Sequence, residues 1–474
     1  MNYTQLSLFS QDTNLNCLKR DGEKYLKIPS TLTDFHNTST TKEVTVSECD
    51  SFCFHGELVE DGHEYCCPMC GNKMHIHGSY PTKLRHLPFG KTYTWVSFAK
   101  HRYYCPCCEY TTMQVVPFKA ANHNITTSLE RYACELLAYG FTNKEVADLT
   151  GLGKNTVKAI DLKRLKDKYT VDGKTLIKPE RTAKYLGIDE FKLHDGYRYA
   201  TVIIDMETGH ILWLSHGKRK ACVYEFIEHV GIEWMDNVEA VACDMNSDFQ
   251  EAFEEICEHI QPVFDYFHIV QNLNKMVIGK IRKDEFARLM SEHKYAAARS
   301  LKRSKFILTS SRETLIQKDK EAEEGKILRK GSSLFNVPEV IRRSGYVDRY
   351  KELIEQNELL FIADLIKEKL ALAYKSVDEP EMSNEISEII DICRASRNTH
   401  MKWFANLLEK HFEGIIAHAT YRISAGRIEG INNKIKTLRR QAYGYPDDEY
   451  FFLKLFDISR KPYVRNSKSH KICD

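Results

Sequence analysis

The sequence predicts a multidomain α/β protein. A cysteine-rich β module comes first, then a helical pair, a mixed α/β domain and a long helical block. Three observations predict this. Nine of the 15 cysteines lie in the first 108 residues. Between residues 184 and 270, apolar runs and amphipathic stretches follow the order β-β-β-α-β-α-β. From about residue 271 the pattern is almost entirely helical and heavily charged, with no strand signals.

At 474 residues, the chain is long enough for two to four domains. A hydrophobic fraction of 42% and a charged fraction of 28% exclude a mostly disordered chain, a collagen-like fibre and a membrane bundle. No apolar run approaches the ~18 residues that a membrane span needs. The first 20 residues lack a basic start followed by an apolar block, so no secretory signal is expected and the cytosol is the default. The net charge of +2 says little about partners, because the charge is unevenly placed.

Residues 1–45 are rich in Ser, Thr and Asn and read as a loose arm. Residues 46–120 hold the cysteine cluster and alternating stretches such as Tyr93-Thr94-Trp95-Val96-Ser97-Phe98, which predict a small β-rich module. Within it, Cys67-Pro68-Met69-Cys70 and Cys105-Pro106-Cys107-Cys108 form two knuckles. Four thiolates at this spacing suit one structural Zn²⁺, held by Cys67, Cys70, Cys105 and Cys108 with no open coordination position. The gap between the knuckles has room for a β-hairpin. Cys66 and Cys107 are adjacent spares, and Cys49 and Cys53 are weaker candidates. Buried free cysteines are the bland alternative.

Residues 121–170 predict a helix-turn-helix. The segment 128–140 is a supporting helix ended by Gly140. Val146 and Ala147 lie on the next helix, Gly151 sits at the turn, and Val157 and Ile160 face inward on the last. Lys154, Asn155, Thr156 and Lys158 lie on the exposed face, with chemistry suited to phosphates and base edges. Residues 142–184 hold 11 Lys and Arg against six Asp and Glu. An ordinary helical hairpin with a solvated basic face is the alternative. Residues 171–183 read as a polar linker.

Three strands are then expected at 184–191, 197–205 and 210–215, the last two joined through Met206-Glu207-Thr208-Gly209. A helix over 219–230, a strand at 238–245, a helix at 247–260 with Ser247 as N-cap, and a strand at 262–270 follow. Asp189 falls at the end of the first strand and Asp244 at the end of the fourth. If those strands are neighbours, both carboxylates emerge at one edge. Such a pair repels itself unless a divalent cation compensates. Glu429 is the candidate third acid, because residues 421–445 hold six Lys and Arg and this single acid. Glu190 and Asp205 are weaker choices for the first acid. His268 and Asp265 follow as accessory candidates. Each acid has a bland reading as a strand-end cap or a surface ion pair.

Together these residues resemble the ISL-three family of insertion-sequence transposases. The resemblance covers about residues 45–460. It rests on the two knuckles, the segment 143–162, GIDEF at 187–191, ACDM at 242–245, DYFH at 265–268 and GRIEGINNKIKTLRRQAYGY at 426–445. It implies a ribonuclease-H-like catalytic core with a mixed five-stranded sheet, in two parts at 184–274 and 396–460. An all-helical insertion at 275–395 would separate the parts, and 461–474 is a basic tail. It implies a DDE triad of Asp189, Asp244 and Glu429 holding two Mg²⁺ or Mn²⁺ for DNA cleavage and strand transfer. The zinc module and helix-turn-helix would read terminal inverted repeats. Arg427, Asn433, Lys434, Lys436, Arg439 and Arg440 would grip phosphates. A homodimer acting on double-stranded DNA, with no membrane partner and a cytoplasmic, nucleoid-associated location, follows from the same resemblance. A non-catalytic zinc and helix-turn-helix regulator, or a nuclease or resolvase on the same core, are the competing readings.

Overall fold

The computed structural model describes residues 35–44, 50–58, 65–196, 198–245, 248–424, 426–442 and 444–461. Most of the arm, Cys49, Ser247 and nearly all of the basic tail lie outside the described residues. The chain divides into two compact units, Met1–Ile177 and Lys178–Asp474.

The first unit begins with a five-stranded sheet. Strands β1 (Phe35–Val44), β2 (Asp50–Leu58), β3 (His75–Phe89), β4 (Thr92–Tyr104) and β5 (Thr111–Met113) run in the order β1-β2-β4-β3, with β5 also on β4. The long β3–β4 hairpin fills the gap between the two knuckles. Along β4 the alternation works as the pattern predicts: Thr94, Val96 and Phe98 are buried. The arm differs from expectation, because its residues Phe35–Val44 form β1. Phe35 anchors that strand edge-on against Phe98 and Phe118, at ring-centroid distances of 6.3 and 6.1 Å. One buried aromatic decides the placement of a segment whose polar residues carry no periodicity.

Helices α1 (Thr127–Tyr139), α2 (Asn143–Thr150) and α3 (Lys154–Tyr169) complete this unit. Thr126 caps α1. Thr142 and Glu145 form a reciprocal capping box on α2, and Gly151 ends it in the left-handed region at φ 68°. Leu129, Ala133, Leu137, Val146, Val157 and Ile160 bury against one another.

The second unit is built on a mixed five-stranded sheet. Strands β6 (Tyr185–His194), β7 (Arg198–Asp205), β8 (Ile211–His216), β9 (Ala240–Ala242) and β10 (Gln261–Val263) lie in the order β10-β9-β6-β7-β8. The β6–β7 and β7–β8 pairs are antiparallel, and the β6–β9 and β9–β10 pairs are parallel. Helix α4 (Ala221–Val230) precedes β9 and α5 (Phe249–Ile256) follows it. The first three strands, both helices and the fourth strand fall where expected, though β6 runs on to His194 and β9 is shorter. Asp205 takes the turn role open to it: its carboxylate accepts from the Glu207 amide at 2.8 Å and the Thr208 hydroxyl at 2.7 Å.

Two expectations fail here. The strand predicted over 262–270 stops at Val263, and α6 (Tyr266–Asn272) replaces its second half. A short apolar run suits a strand or a buried helix equally, and the Asp265 cap decides for the helix. The block at 275–395 is helical except for one hairpin, β11 (Ile327–Arg329) with β12 (Val340–Ile341). Both strands are exposed throughout, so no burial alternation marks them in the sequence. The helical block is not a separate body. Its Ile390, Ile386 and Ile366 belong to the same buried cluster as Ile188, Val241 and Phe253 of the sheet layer. No helix among the described residues is long and apolar enough to cross a membrane.

Candidate functional site

The two knuckles fold alike. Gly71 donates to the Cys67 carbonyl at 2.8 Å, and Glu109 donates to the Cys105 carbonyl at 3.0 Å. Both donors adopt left-handed φ values, 72° and 58°. The four sulfurs of Cys67, Cys70, Cys105 and Cys108 lie within 4.8 Å of one another. Cys67 Sγ is 3.1 Å from Cys108 Sγ, and Cys70 Sγ is 3.5 and 3.7 Å from the sulfurs of Cys105 and Cys108. A tetrahedral Zn²⁺ with bonds of ~2.3 Å sets its sulfurs ~3.8 Å apart, so the set fits zinc. Backbone N–H groups of Cys108 and Cys107 lower the Cys105 thiol, while the Cys67 sulfur raises Cys108. Tyr65 stacks on Tyr103 at 4.0 Å beside the cluster. Cys66 and Cys107 are exposed and outside the set, and Cys53 is buried in β2.

On α3, Lys154 and Asn155 are exposed, and Thr156 and Lys158 are half-buried. The turn before them is braced by Arg85 of β3. Its guanidinium stacks on Tyr93, 3.9 Å from the ring centroid, and a Cβ on Gly151 would meet it at 2.2 Å. The sheet and the α2–α3 turn are therefore in close contact within this unit.

The acids lie in the second unit. The parallel β6–β9 pairing ends at Gly187 opposite Ala242. Asp189 and Asp244 each follow two residues later, so both leave the pair at the same end. Strand β6 itself continues to His194, paired with β7, so Asp189 sits mid-strand rather than at a strand end. Asp189 Oδ1 accepts from the Glu190 amide at 2.7 Å, and Oδ2 accepts from Asn432 Nδ2 at 2.6 Å. Burial raises the Asp189 carboxyl above its ordinary value and the charge of Asp244 adds to this, while the two donors and His268 oppose it. Burial also raises Glu190, whose Oε1 is 3.7 Å from Lys218 Nζ.

His268 stands on the first turns of α6, with Nδ1 3.8 Å from Asp244 Oδ1. Asp265 is the helix cap: its Oδ2 accepts from the Phe267 amide at 3.0 Å. The two accessory candidates therefore differ, since one faces Asp244 and the other holds the helix that carries it.

Glu429 is exposed on the helix Gly426–Gln441, which buries Ile428, Ile431, Ile435 and Leu438. Asn432 lies one turn further along the same helix, where side chains three apart are neighbours. The structure thus brings Asp189 and Asp244 to one end of the β6–β9 pair and the helix of Glu429 beside them. It does not bring the three carboxylates as close as the thiolates. Among the described residues, the cysteine set is the group of ligand atoms within 4.8 Å of one another. Hard carboxylate oxygens still suit a divalent cation. Asn432 Oδ1, buried and without a hydrogen-bond partner, adds an available oxygen at the same place.

Sequence reading missed Asn432. Its signal was present, since two asparagines in mid-helix at 432–433 are poor helix formers and invite a side-chain reason. Two basic candidates turn inward in part. Arg427 donates to the Glu207 carbonyl, and Arg439 donates to the Lys192 carbonyl at 2.6 Å. Both fasten the helix to the sheet. Asn433, Lys436 and Arg440 remain exposed, and Lys434 is half-buried.

Comparison with known proteins bears on both units. Residues 186–455 match the ISL3 DDE family model, described as "Transposase". Residues 63–108 match the model described as "zinc-finger of transposase IS204/IS1001/IS1096/IS1165". The chain is 26% identical over 391 residues to the transposase for insertion sequence element IS1001 of Bordetella parapertussis, covering 82% of this chain and 87% of that one. It is 24% identical over 388 residues to the transposase for insertion sequence element IS1557 of Mycobacterium tuberculosis, covering 80% and 82%.

Proposed function

Because the chain belongs to the ISL3 family of transposases, we propose that it binds the terminal inverted repeats of its insertion sequence and performs metal-dependent DNA cleavage and strand transfer. The observation that carries this reading is the exit of Asp189 and Asp244 from one end of the β6–β9 pair, with the Gly426–Gln441 helix tied to Asp189. The sheet order, with two antiparallel and two parallel pairs, supports a ribonuclease-H-like core.

In this reading Asp189, Asp244 and Glu429 hold two divalent cations, Mg²⁺ or Mn²⁺. When bound, they supply an activated water or 3′-hydroxyl and neutralise charge at the leaving 3′-oxygen. The protein's own residues set the stage. Asn432 fixes the Asp189 rotamer, and burial of Asp189 keeps bulk water from one side. Helix α6 sets His268 beside Asp244, with its Nδ1 3.8 Å from Asp244 Oδ1. The Glu190–Lys218 pair lowers the negative charge crowding the strand end.

The four cysteines hold one structural Zn²⁺, and α3 presents Lys154, Asn155, Thr156 and Lys158 to the repeat. Lys434, Lys436 and Arg440, with the spare donors of Arg427 and Arg439, grip phosphates near the acids. Joining two ends in one complex calls for at least a homodimer. The DNA substrate implies a cytoplasmic, nucleoid-associated location.

The test is strand cleavage of a labelled duplex carrying the terminal repeat, by wild type and Glu429→Gln, in Mg²⁺ and in EDTA. Nicking at the repeat boundary that needs metal and vanishes in the variant, while the gel shift persists, is the expected result. A gel shift without cleavage in any divalent metal favours the non-catalytic regulator instead. Cleavage at branched DNA irrespective of the repeat favours the resolvase.

A further inference from the structure

The β11–β12 hairpin buries nothing that explains it. Ser332 and Val337 exchange two backbone hydrogen bonds of 2.9 Å, and Asn336 donates to the Ser333 carbonyl at 3.3 Å. These bonds close a tight turn whose two central residues are Leu334 and Phe335. Leu334 is 83% exposed and Phe335 is 75% exposed. Ile327, Leu328, Val340 and Ile341 on the strands are also exposed. A two-stranded hairpin is marginal by itself, and apolar side chains held out on a turn need a partner. Ion pairs pin its base. Glu321 accepts from Lys326 Nζ at 2.6 Å and lies 3.1 Å from Arg342 Nε.

Charge identifies the partner. Residues 326–343 hold five Lys or Arg and one acid, Glu339. Arg329, Lys330 and Arg343 are exposed. A second copy of this hairpin would meet it with the same positive charge. A polyphosphate backbone would not. Leucine and phenylalanine at an exposed turn between basic flanks is the chemistry that wedges between base steps and unstacks them.

We propose that the β11–β12 hairpin engages duplex DNA, with Arg329, Lys330 and Arg343 on phosphates and Leu334 and Phe335 inserted between base pairs. This rests on the reading above that the chain acts on DNA. It adds a contact that neither the zinc module nor the acids supply.

The test uses the full-length zinc-loaded chain and a duplex joining the terminal repeat to its flanking DNA. Permanganate reports unstacked thymines, and a salt titration reports phosphate contacts. Wild type should create hyper-reactive thymines. Leu334→Ser/Phe335→Ser should abolish them and weaken binding about tenfold, the worth of a lost base stack. Lys330→Gln/Arg343→Gln should flatten the slope of log K against log salt by about two. All four positions are exposed, and equal unfolding midpoints check that the variants fold. Unchanged reactivity and affinity in the tip variant overturn the proposal. So does a tip variant that turns a dimer into a monomer yet unstacks DNA as wild type does. Wild type that cuts the duplex while its tip variant behaves identically refutes the hairpin role alone. Wild type that neither binds nor cuts refutes both readings.

Discussion

Asn432 donates from Nδ2 to Asp189 Oδ2 across 2.6 Å, joining two residues 243 positions apart in sequence. The bond connects the Gly426–Gln441 helix to the centre of the sheet. It also favours the ionised form of a carboxylate that burial pushes the other way.

Asn432→Ala should therefore act through Asp189. Removing a hydrogen bond to a charged group costs about 1.5–3 kcal/mol, or roughly 10–100-fold in a rate that needs it. Cleavage at neutral pH and limiting metal should fall by that factor and recover in part at higher pH or higher metal. Duplex binding should not change. A variant whose metal titration and pH profile match wild type would show that Asn432 is merely a helix residue.

The cysteine set predicts one zinc per chain. Cys67→Ser or Cys105→Ser should remove it by elemental analysis and unfold the β3–β4 module, since metal binding there is folding energy. Cys66→Ser and Cys107→Ser should keep the full zinc content, because both sulfurs stand outside the set. Loss of zinc in either of these exchanges the ligand assignment.

His86 gives the first unit an acid limit. It is 2% exposed, its Nδ1 lies 2.9 Å from Thr126 Oγ1, and burial lowers it from 6.5 to about 4. The folded form holds it neutral while the unfolded chain takes up a proton below 6.5. Its contribution is thus complete above pH 6.5 and is lost as the pH falls toward 4, about 3 kcal/mol in all. Denaturant unfolding at pH 7 and pH 5 should show about 2 kcal/mol of this loss in wild type and a shallower one in His86→Gln. Zinc release is common to both proteins and cancels. Equal slopes would refute it.

Gly151 holds φ 68° against Arg85 and Tyr93. Gly151→Ala adds a Cβ in a left-handed conformation, at about 1–2 kcal/mol, and pushes the Arg85 guanidinium off its aromatic stack. A lowered unfolding midpoint and weaker duplex binding are expected. Full affinity with unchanged stability would show that the α2–α3 turn tolerates displacement.

Much of this protein was readable from residue order. The paired knuckles, the Gly-terminated helices α1 and α2, and the order β-β-β-α-β-α-β carry local chemistry and short periods, so sequence specifies them. Strand order also sent Asp189 and Asp244 to one end, because parallel neighbours emerge together.

Other features depend on contacts across long separations. Asp265 and the apolar run after it suited a strand until a helix cap was drawn from the same residues. Phe35 turned a polar arm into a strand by meeting Phe98 and Phe118. Arg427 and Arg439 looked like phosphate ligands, yet each gives a donor to a carbonyl more than 200 residues away. The exposed hairpin had no period to betray it, because neither face is buried. Sequence by itself determined the knuckles, the capped helices α1 and α2 and most strands of the second sheet, since caps, turns and alternation act over a few residues. Tertiary structure alone decided that Asn432 meets Asp189 and that Leu334 and Phe335 meet solvent, since burial belongs to the folded chain and not to the residue.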